Sequence, residues 1–223
     1  MARHWTDQPI HFIDFEGSLG SGVLEFGVVT LRGGTIERVR TGLCAPTGII
    51  PNEDIAVHGL APADLAGRQP FSAEWEYFAA LRQSGPLAAH FAGVENSLMK
   101  SVWPFARPSP DFVRLGTQTV EWGPWIDSAR IYGQMRPQVG SLRLQSLIES
   151  CLLQPELERL TMLHCPSNRR FYHAALYDAL ASALLLSALA RDARYADMSL
   201  GHLILLSTSD PDKREALIQP ELW

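Results

Sequence analysis

Five side chains in this sequence, four acidic and one histidine, have the types and order that divalent-metal chemistry requires. Asp14 and Glu16 lie together near the start of the chain, and Glu95 stands alone near the middle. His173 and Asp178 lie close together at the edge of a stretch rich in Ala and Leu. Carboxylates that are distant in sequence but meet in space can hold paired cations for phosphoryl-transfer chemistry. The pattern predicts a metal-dependent nuclease.

Asp14 and Glu16 are two residues apart in an apolar run, which predicts a strand with both carboxylates on one face. Phe15 between them then points to the opposite face, into the core. An Asp-x-Glu pair is also common on surface strands. Here, however, we expect it at the end of a buried strand, where it is costly unless cations or hydrogen bonds compensate the charges. This context favours metal binding.

His173 and Asp178 are separated by five positions, which places them roughly 140° apart on an ideal helix. They cannot converge if both lie in mid-helix. We therefore expect His173 just before a helix and Asp178 inside it, facing the sheet. Asp178 would then bind metal and His173 would act as general base, taking a proton from the attacking water. The apolar neighbours of Asp178 leave its face ambiguous, so a solvent-facing Asp178 remains the alternative.

The elements that must position these residues are strands first and helices later. Apolar runs at 10–15, 23–31 and 36–41, with a turn at 32–35, predict three sequential antiparallel strands. A polar connection at 51–65 follows, then a helix at 71–82, a short strand at 87–91 and a helix at 94–105. Residues 104–124 are predicted to form a long loop, 125–132 a strand or the start of a helix, and 141–153 and 174–190 two helices. This order predicts an α/β or α+β domain with a mixed sheet.

The length and composition are compatible with one domain, and the net charge argues against one class of nucleic-acid-binding protein. The 223 residues, 46% of them apolar, predict a single domain over 1–223. A net charge of −5 argues against a protein that coats nucleic acid through a broad basic surface. It leaves room for a nuclease that grips one strand end, because bound metals supply local positive charge.

Targeting and cysteine patterns indicate an ordinary reduced protein. The longest apolar stretch, 179–190, is too short to span a bilayer, and the residues after Met1 do not resemble a secretory signal. We therefore expect a cytoplasmic location and no membrane partner. Three cysteines without CxxC spacing support neither a disulfide framework nor a thiolate zinc site.

These motifs, taken in order, resemble those of the DEDD 3′-to-5′ exonucleases of the histidine subtype, the DEDDh group. This superfamily has a ribonuclease H-like fold and includes polymerase proofreading subunits, ribonuclease T and oligoribonuclease. The matching segments are Ile-Asp-Phe-Glu-Gly at 13–17 with the strand at 23–29, Ala-Val-His-Gly-Leu at 56–60, Ala-His-Phe-Ala-Gly-Val-Glu at 89–95, and His173 with Asp178. The resemblance covers about 9–190 and leaves 191–223 as a C-terminal extension.

The resemblance implies a fold, a site and a reaction. The fold is a mixed five-stranded sheet, with three antiparallel strands first, flanked by helices. Asp14, Glu16, Glu95 and Asp178 would hold two Mg²⁺ or Mn²⁺ ions about 4 Å apart, and His173 would deprotonate water. The products are nucleoside 5′-monophosphates released from single-stranded 3′ ends of DNA or RNA. The residues after the first motif would line the pocket for the terminal nucleotide; they are Gly17, Ser18 and Leu19.

Two positions depart from the family pattern and keep other functions open. Glu95 stands where the family has aspartate and adds one methylene, and Phe91 stands where the family has asparagine. One alternative is a nucleic-acid-binding module with weakened turnover, and another is a small-molecule phosphodiesterase. The presence of both His173 and Asp178 favours an active enzyme over the binding module. Several relatives are dimers, so a homodimer is among the states that the resemblance allows.

Overall fold

A five-stranded mixed sheet lies at the centre of the molecule. The structure is a computed structural model and describes residues 4–114 and 116–208. The strand order is β3-β2-β1-β4-β7, and β5 and β6 form a separate two-stranded ribbon. The strands are β1 (Ile10–Ser18), β2 (Gly22–Arg32), β3 (Thr35–Leu43), β4 (Leu87–Ala89), β5 (Ser109–Pro110), β6 (Gln118–Thr119) and β7 (Ile126–Asp127).

Helices cover the sheet and complete the fold. They are α1 (Asn52–His58), α2 (Trp75–Ser84), α3 (Gly93–Val102), α4 (Ser128–Met135), α5 (Leu144–Ser150), α6 (Gln154–His164), α7 (Ala175–Ala190), α8 (Ala193–Ala196) and α9 (Leu200–Ser207). Short 3₁₀ turns occur at Trp5–Asp7, Pro62–Leu65 and Phe71–Glu74. Among the helices of the described ranges, none is long and apolar enough to cross a membrane.

The first three strands form the antiparallel meander predicted from the sequence. β1 pairs with β2 from Ile10 opposite Leu31, and β2 pairs with β3 across the Gly-Gly turn. β4 then joins parallel to β1, and β7 joins parallel to β4. The predicted α/β fold with a mixed five-stranded sheet is confirmed.

Successive side chains of β1 point to opposite faces of the sheet, and both faces are buried there. Phe12 packs in one apolar cluster with α7, whereas Ile13 and Phe15 pack in a second cluster beneath α2 and α3. Asp14 and Glu16 share the strand face of Phe12, because side chains two positions apart point the same way. The acidic pair therefore lies on the face that α7 covers.

Several predicted elements need correction. β1 continues to Ser18, so Asp14 and Glu16 lie inside the strand and not at its end. The connection predicted over 51–65 contains α1, and α6 follows α5 where no helix was predicted. Apolar residues are exposed on both helices, Val57 on α1 and Met162 and Leu163 on α6, so the apolar periodicity of these helices is weak.

Other elements match the predictions with shifted bounds. Residues 125–132 form both a strand and the start of a helix, β7 and then α4. The loop at 104–124 is irregular apart from β5 and β6, and Leu115 within it lies outside the described residues. Part of the C-terminal extension packs on the core: α9 lies against β7 and α4, with Leu203 and Ile204 buried. Residues 209–223 lie outside the described residues.

The first turn of α7 meets β2 at Gly27. A Cβ atom at this glycine would lie 2.3 Å from the carbonyl carbon of Ala175 and 2.4 Å from the amide nitrogen of Leu176. Neither is the end of a flexible side chain that could turn away. The helix backbone therefore sits directly on the strand backbone.

Replacing Gly27 with alanine should push α7 off the sheet. Overpacking of a tight core contact costs roughly 1–3 kcal/mol, so we expect Gly27→Ala to lower the free energy of unfolding by about that amount in urea titrations. Gly140→Ala is the matched control, because a Cβ at Gly140 meets nothing within 4 Å. Equal stability of the two variants would contradict the tight contact.

His11 is buried in β1 as a neutral imidazole. Ser84 Oγ donates to the carbonyl of Leu81, so His11 Nε2 donates to Ser84 Oγ at 2.9 Å and Nδ1 accepts from the Thr30 hydroxyl at 3.0 Å. Burial, with smaller contributions from Arg38 and Arg32, lowers the pKa of His11 from its usual 6.5 to about 4.

This depressed pKa predicts an acid-sensitive contribution to stability. As the pH falls below about 6.5, His11 takes up a proton in the unfolded chain before it does so in the folded chain. Its contribution to the stability of the folded protein is therefore complete above pH 6.5 and decreases progressively towards pH 4. The loss amounts to about 3 kcal/mol across this window. We expect His11→Gln to flatten the decline of unfolding free energy between pH 6.5 and 4, whereas exposed His202→Gln should leave the wild-type slope. Parallel slopes for wild type and His11→Gln would show that the imidazole is protonated in the folded chain.

Candidate metal-binding site

β1 presents Asp14 and Glu16 on the face covered by α7. Glu16 is buried and Asp14 is half-buried. The strand then bulges between Glu16 and Gly17, and Gly17 has a φ of 125°, a conformation that L side chains rarely adopt. A Cβ at Gly17 would also lie 2.2 Å from the carbonyl oxygen of Gly22. Glycine is therefore required for the chain to turn directly after the acidic pair.

α7 delivers His173 and Asp178 to the same place. The helix begins at Ala175, so His173 precedes it and Asp178 lies in its first turn, as predicted. The amide of His173 donates to Asp178 Oδ2 at 2.9 Å. Asp178 is only 8% exposed, which rules out the solvent-facing alternative, whereas His173 is exposed.

Three of the five predicted residues converge within ligand distance. Ligand atoms of Glu16, His173 and Asp178 all lie within 4.8 Å of one another. Asp14 and Glu95 lie outside this closest group but interact with it through their charges. In addition to burial, the charges of Asp178 and Glu16 raise the pKa of Asp14, and the charge of Asp178 raises the pKa of Glu95. The charge of Glu95 in turn adds to the rise in the pKa of Glu16. Glu95 is buried on α3, which packs against β1.

The site contains buried carboxylate oxygens that have no hydrogen-bond partner. Glu95 Oε2 and Asp178 Oδ1 are two such atoms. Burial raises the pKa of Glu16 and Glu95 to about 8 and that of Asp178 to about 7. Burial, followed by the charges of Asp178, Glu16 and Glu95, also raises the pKa of Asp14 well above its usual value.

These shifts have one physical cause, which is negative charge held out of water with little positive charge opposite it. Arg169 opposes the shift at Glu16 and Asp178, but burial outweighs it. Oxygen-rich acidic sites of this kind suit hard divalent cations such as Mg²⁺ and Mn²⁺. The orphaned oxygens and the clustered carboxylates fit such ions.

Sequence reasoning missed three charged residues behind the site. Asp127 is buried, accepts from the amides of Phe91 and Ala92, and so holds the turn that leads into α3 and Glu95. Glu25 and Arg169 form a buried ion pair beneath the start of α7. A detectable signal existed for Glu25, an acidic residue inside an otherwise apolar strand.

Exposed apolar groups flank the acidic residues along the chain. Leu19, directly after the first motif, is 69% exposed, and Phe91, in the turn before Glu95, is 44% exposed. Phe91 also has a φ of 58°, which is uncommon for a residue other than glycine. Ser18 is tied to Ser21 by hydrogen bonds within the β1–β2 turn.

Other histidines and tryptophans near the site have structural roles. His90 hydrogen-bonds through both ring nitrogens, to Ser128 Oγ and to the carbonyl of Leu142. His58 Nδ1 accepts from the amide of Leu60 after α1. In the loop region, the rings of Trp103 and Trp122 pack against each other, and Trp122 Nε1 donates to the carbonyl of Trp103. Trp125 Nε1 donates to Asn96 Oδ1.

Comparison with known proteins places this fold among nucleases. No family model matches the chain, and no curated protein sequence is similar to it. Among solved structures, exonuclease X in complex with 5′-overhanging duplex DNA has a TM-score of 0.60 at 19% identity, covering 87% of this chain and 99% of that chain. The nuclease domain of 3′hExo, a DEDDh family member bound to rAMP, has a TM-score of 0.57 at 17% identity, covering 86% and 96%. The E. coli ExoI–ssDNA complex has a TM-score of 0.59 at 16% identity, covering 96% of this chain but 46% of that chain.

The chain therefore has the fold of the DEDDh exonucleases. This agreement confirms the fold that the resemblance implied. Exonuclease X and 3′hExo are matched over nearly their whole chains, whereas this chain spans less than half of ExoI.

Cation binding should stabilise the protein through the acidic cluster. With Mn²⁺ at about 100 times its dissociation constant, we expect the free energy of unfolding to exceed that of the chelator-treated protein by about 2.7 kcal/mol. The increase is measured as a rise in melting temperature. Asp178→Asn keeps an oxygen for the His173 amide and removes one repelling charge. It should therefore melt higher than wild type in chelator and respond less to Mn²⁺.

Glu158→Gln provides the matched control, since this exposed carboxylate on α6 lies outside the cluster. It should retain the wild-type response to the metal. An Asp178→Asn protein that responds to Mn²⁺ as wild type does would show that the cation binds elsewhere.

Proposed function

We propose that this protein is a metal-dependent 3′-to-5′ exonuclease that releases nucleoside 5′-monophosphates from single-stranded DNA or RNA ends. One observation carries the proposal: ligand atoms of Glu16, His173 and Asp178 converge within 4.8 Å beside buried carboxylates. The fold shared with DEDDh exonucleases supports it.

Asp14, Glu16, Glu95 and Asp178 would hold the cations. Divalent cations bound there supply positive charge to a phosphodiester and lower the pKa of bound water. The unpartnered oxygens of Glu95 and Asp178 support their assignment as ligands, because a buried oxygen without a partner is costly. Glu95 replaces the family's aspartate and retains the carboxylate at the end of a longer side chain.

His173 would be the general base. Its imidazole is exposed to solvent, yet one ring nitrogen lies within 4.8 Å of a carboxylate oxygen of Glu16 and of one of Asp178. A base in this position can take a proton from water at the edge of the cluster and pass it to solvent. Its place before α7 leaves the ring outside the helix, and its backbone amide is held by Asp178.

The strand end would bind beside the turn that follows the acidic pair. Gly17, Ser18 and Leu19 are assigned to the terminal nucleotide, and the exposed Leu19 and Phe91 side chains offer apolar surfaces on which bases stack. Nucleic acid is thus the proposed partner, gripped at one end. The net charge of −5 agrees with such local contact better than with a broad basic surface.

Shortening of 5′-labelled single-stranded DNA and RNA in Mg²⁺ or Mn²⁺ tests the proposal. We expect a ladder that shortens from the 3′ end, yields nucleoside 5′-monophosphates and disappears in chelator. Asp178→Asn should slow it by more than ~100-fold, since changes to groups that merely support metal ligands already cost about 10–100-fold. The exposed Glu158→Gln protein should degrade both strands at the wild-type rate.

Two outcomes would point to other functions. Binding of the oligonucleotides without any shortening would indicate a nucleic-acid-binding module, and Glu95→Asp with Phe91→Asn would then test whether these departures abolished turnover. Hydrolysis of a simple nucleotide ester at a rate that does not rise with oligonucleotide length would indicate a small-molecule phosphodiesterase.

A further inference from the structure

A buried ion pair lies directly beneath the proposed general base. Arg169 and Glu25 are both buried, and the guanidinium meets the carboxylate in a two-point contact, with Nε on Oε1 at 3.2 Å and Nη2 on Oε2. The ring of Phe171 covers the guanidinium at 4.9 Å. Glu25 lies opposite Glu16 in the β1–β2 register, so the pair sits on the strand face that carries the acidic site.

The remaining hydrogen bonds of this pair go to the end of α1 and to the backbone around His173. Arg169 Nη2 donates to the carbonyl of His173 at 3.4 Å, and Nη1 donates to the carbonyl of His58. Glu25 Oε2 also accepts from the amide of Ala175, the first residue of α7, at 3.1 Å. The pair therefore connects α1, β2 and the segment that enters α7.

His173 needs such support because of its backbone conformation. Its φ is 67°, in the left-handed region that residues other than glycine rarely adopt. Its amide is held by Asp178 and its carbonyl by Arg169, so both peptide groups that flank its Cα are fixed. With the backbone fixed in this way, the Cα–Cβ bond directs the imidazole towards Glu16 and Asp178.

Stability alone explains this arrangement poorly. Apolar side chains of similar volume often replace a buried ion pair without loss of stability. They cannot donate to two carbonyl groups, whereas the planar fork of arginine can do so while also binding a carboxylate. The bonds that distinguish arginine here are those to His58 and His173.

We propose that Arg169, fixed by Glu25, is a positioning residue that sets the orientation of the His173 imidazole. It acts through the His173 backbone. Its catalytic consequence rests on the proposed exonuclease function, whereas its effect on the orientation of the ring does not.

Arg169→Lys tests the kinetic consequence. Lysine keeps a positive charge near Glu25 but lacks the fork that reaches both carbonyls. We expect kcat for oligonucleotide shortening to fall by about 10–100-fold with little change in KM, because small misplacement of a catalytic group has effects of this size. In a His173→Ala background the same substitution should change kcat by less than about twofold, since the residue through which it acts is absent.

Arg170→Lys is the matched control. Arg170 is the adjacent arginine, and its guanidinium also donates to two backbone carbonyls, those of Cys165 and Met162. It makes none of the bonds to His173, so Arg170→Lys should retain wild-type kcat. A loss caused by Arg169→Lys that is equally large in the His173→Ala background would overturn the proposal.

A readout independent of hydrolysis separates this proposal from the proposed function. In NMR spectra of protein labelled at the histidine rings, the His173 signal is assigned by its absence in His173→Ala. We expect Arg169→Lys to shift or broaden that signal and Arg170→Lys to leave it unchanged. An unchanged His173 signal in folded Arg169→Lys would refute the positioning role, even if the wild-type protein hydrolysed nothing.

A second variant covers the case in which Arg169→Lys does not fold. The double substitution Glu25→Gln with Arg169→Met removes both charges and keeps an oxygen for the Ala175 amide, but it leaves no donor for the His173 carbonyl. We expect it to shift the His173 signal and lower kcat as Arg169→Lys does. Wild-type spectra and kinetics in the double variant would refute the proposal.

Discussion

The packing of the first turn of α7 on β2 is the contact on which the site depends. At Gly27 the helix backbone lies where a side chain would otherwise be, directly opposite Asp14 in the strand register. This close approach brings Asp178 over the acidic face of β1 and fixes where the chain must turn at His173. Displacement of the helix by the width of one methyl group would separate the two halves of the site.

Charge is the second constraint, and it opposes the first. Close packing places carboxylates from β1, α3 and α7 together out of water, and burial raises their pKa values. The protein compensates only in part, through Arg169 and through backbone amides such as that of His173. The negative charge that remains uncompensated suits the cluster to divalent cations.

Much of the frame was predictable because it follows local rules. Apolar alternation and the Gly-Gly turn indicated the three antiparallel strands, and the Ala- and Leu-rich composition indicated α7. α1 and α6 were missed because tertiary contacts stabilise them more than their own periodicity does. β1 was predicted too short, because pairing with β2 carries the strand through the two acidic residues.

The sequence by itself determined the residue types and spacing from which the candidate site was predicted. The order of the acids and of His173 predicted the candidates and their resemblance to DEDDh exonucleases, because residue type and spacing are properties of the chain alone. Only the tertiary structure decided which of them converge, and it identified Arg169 and Glu25 as the pair that holds the His173 backbone. The physical reason is that Glu25 and Arg169 are 144 positions apart, so their buried ion pair forms only when the fold brings distant segments together.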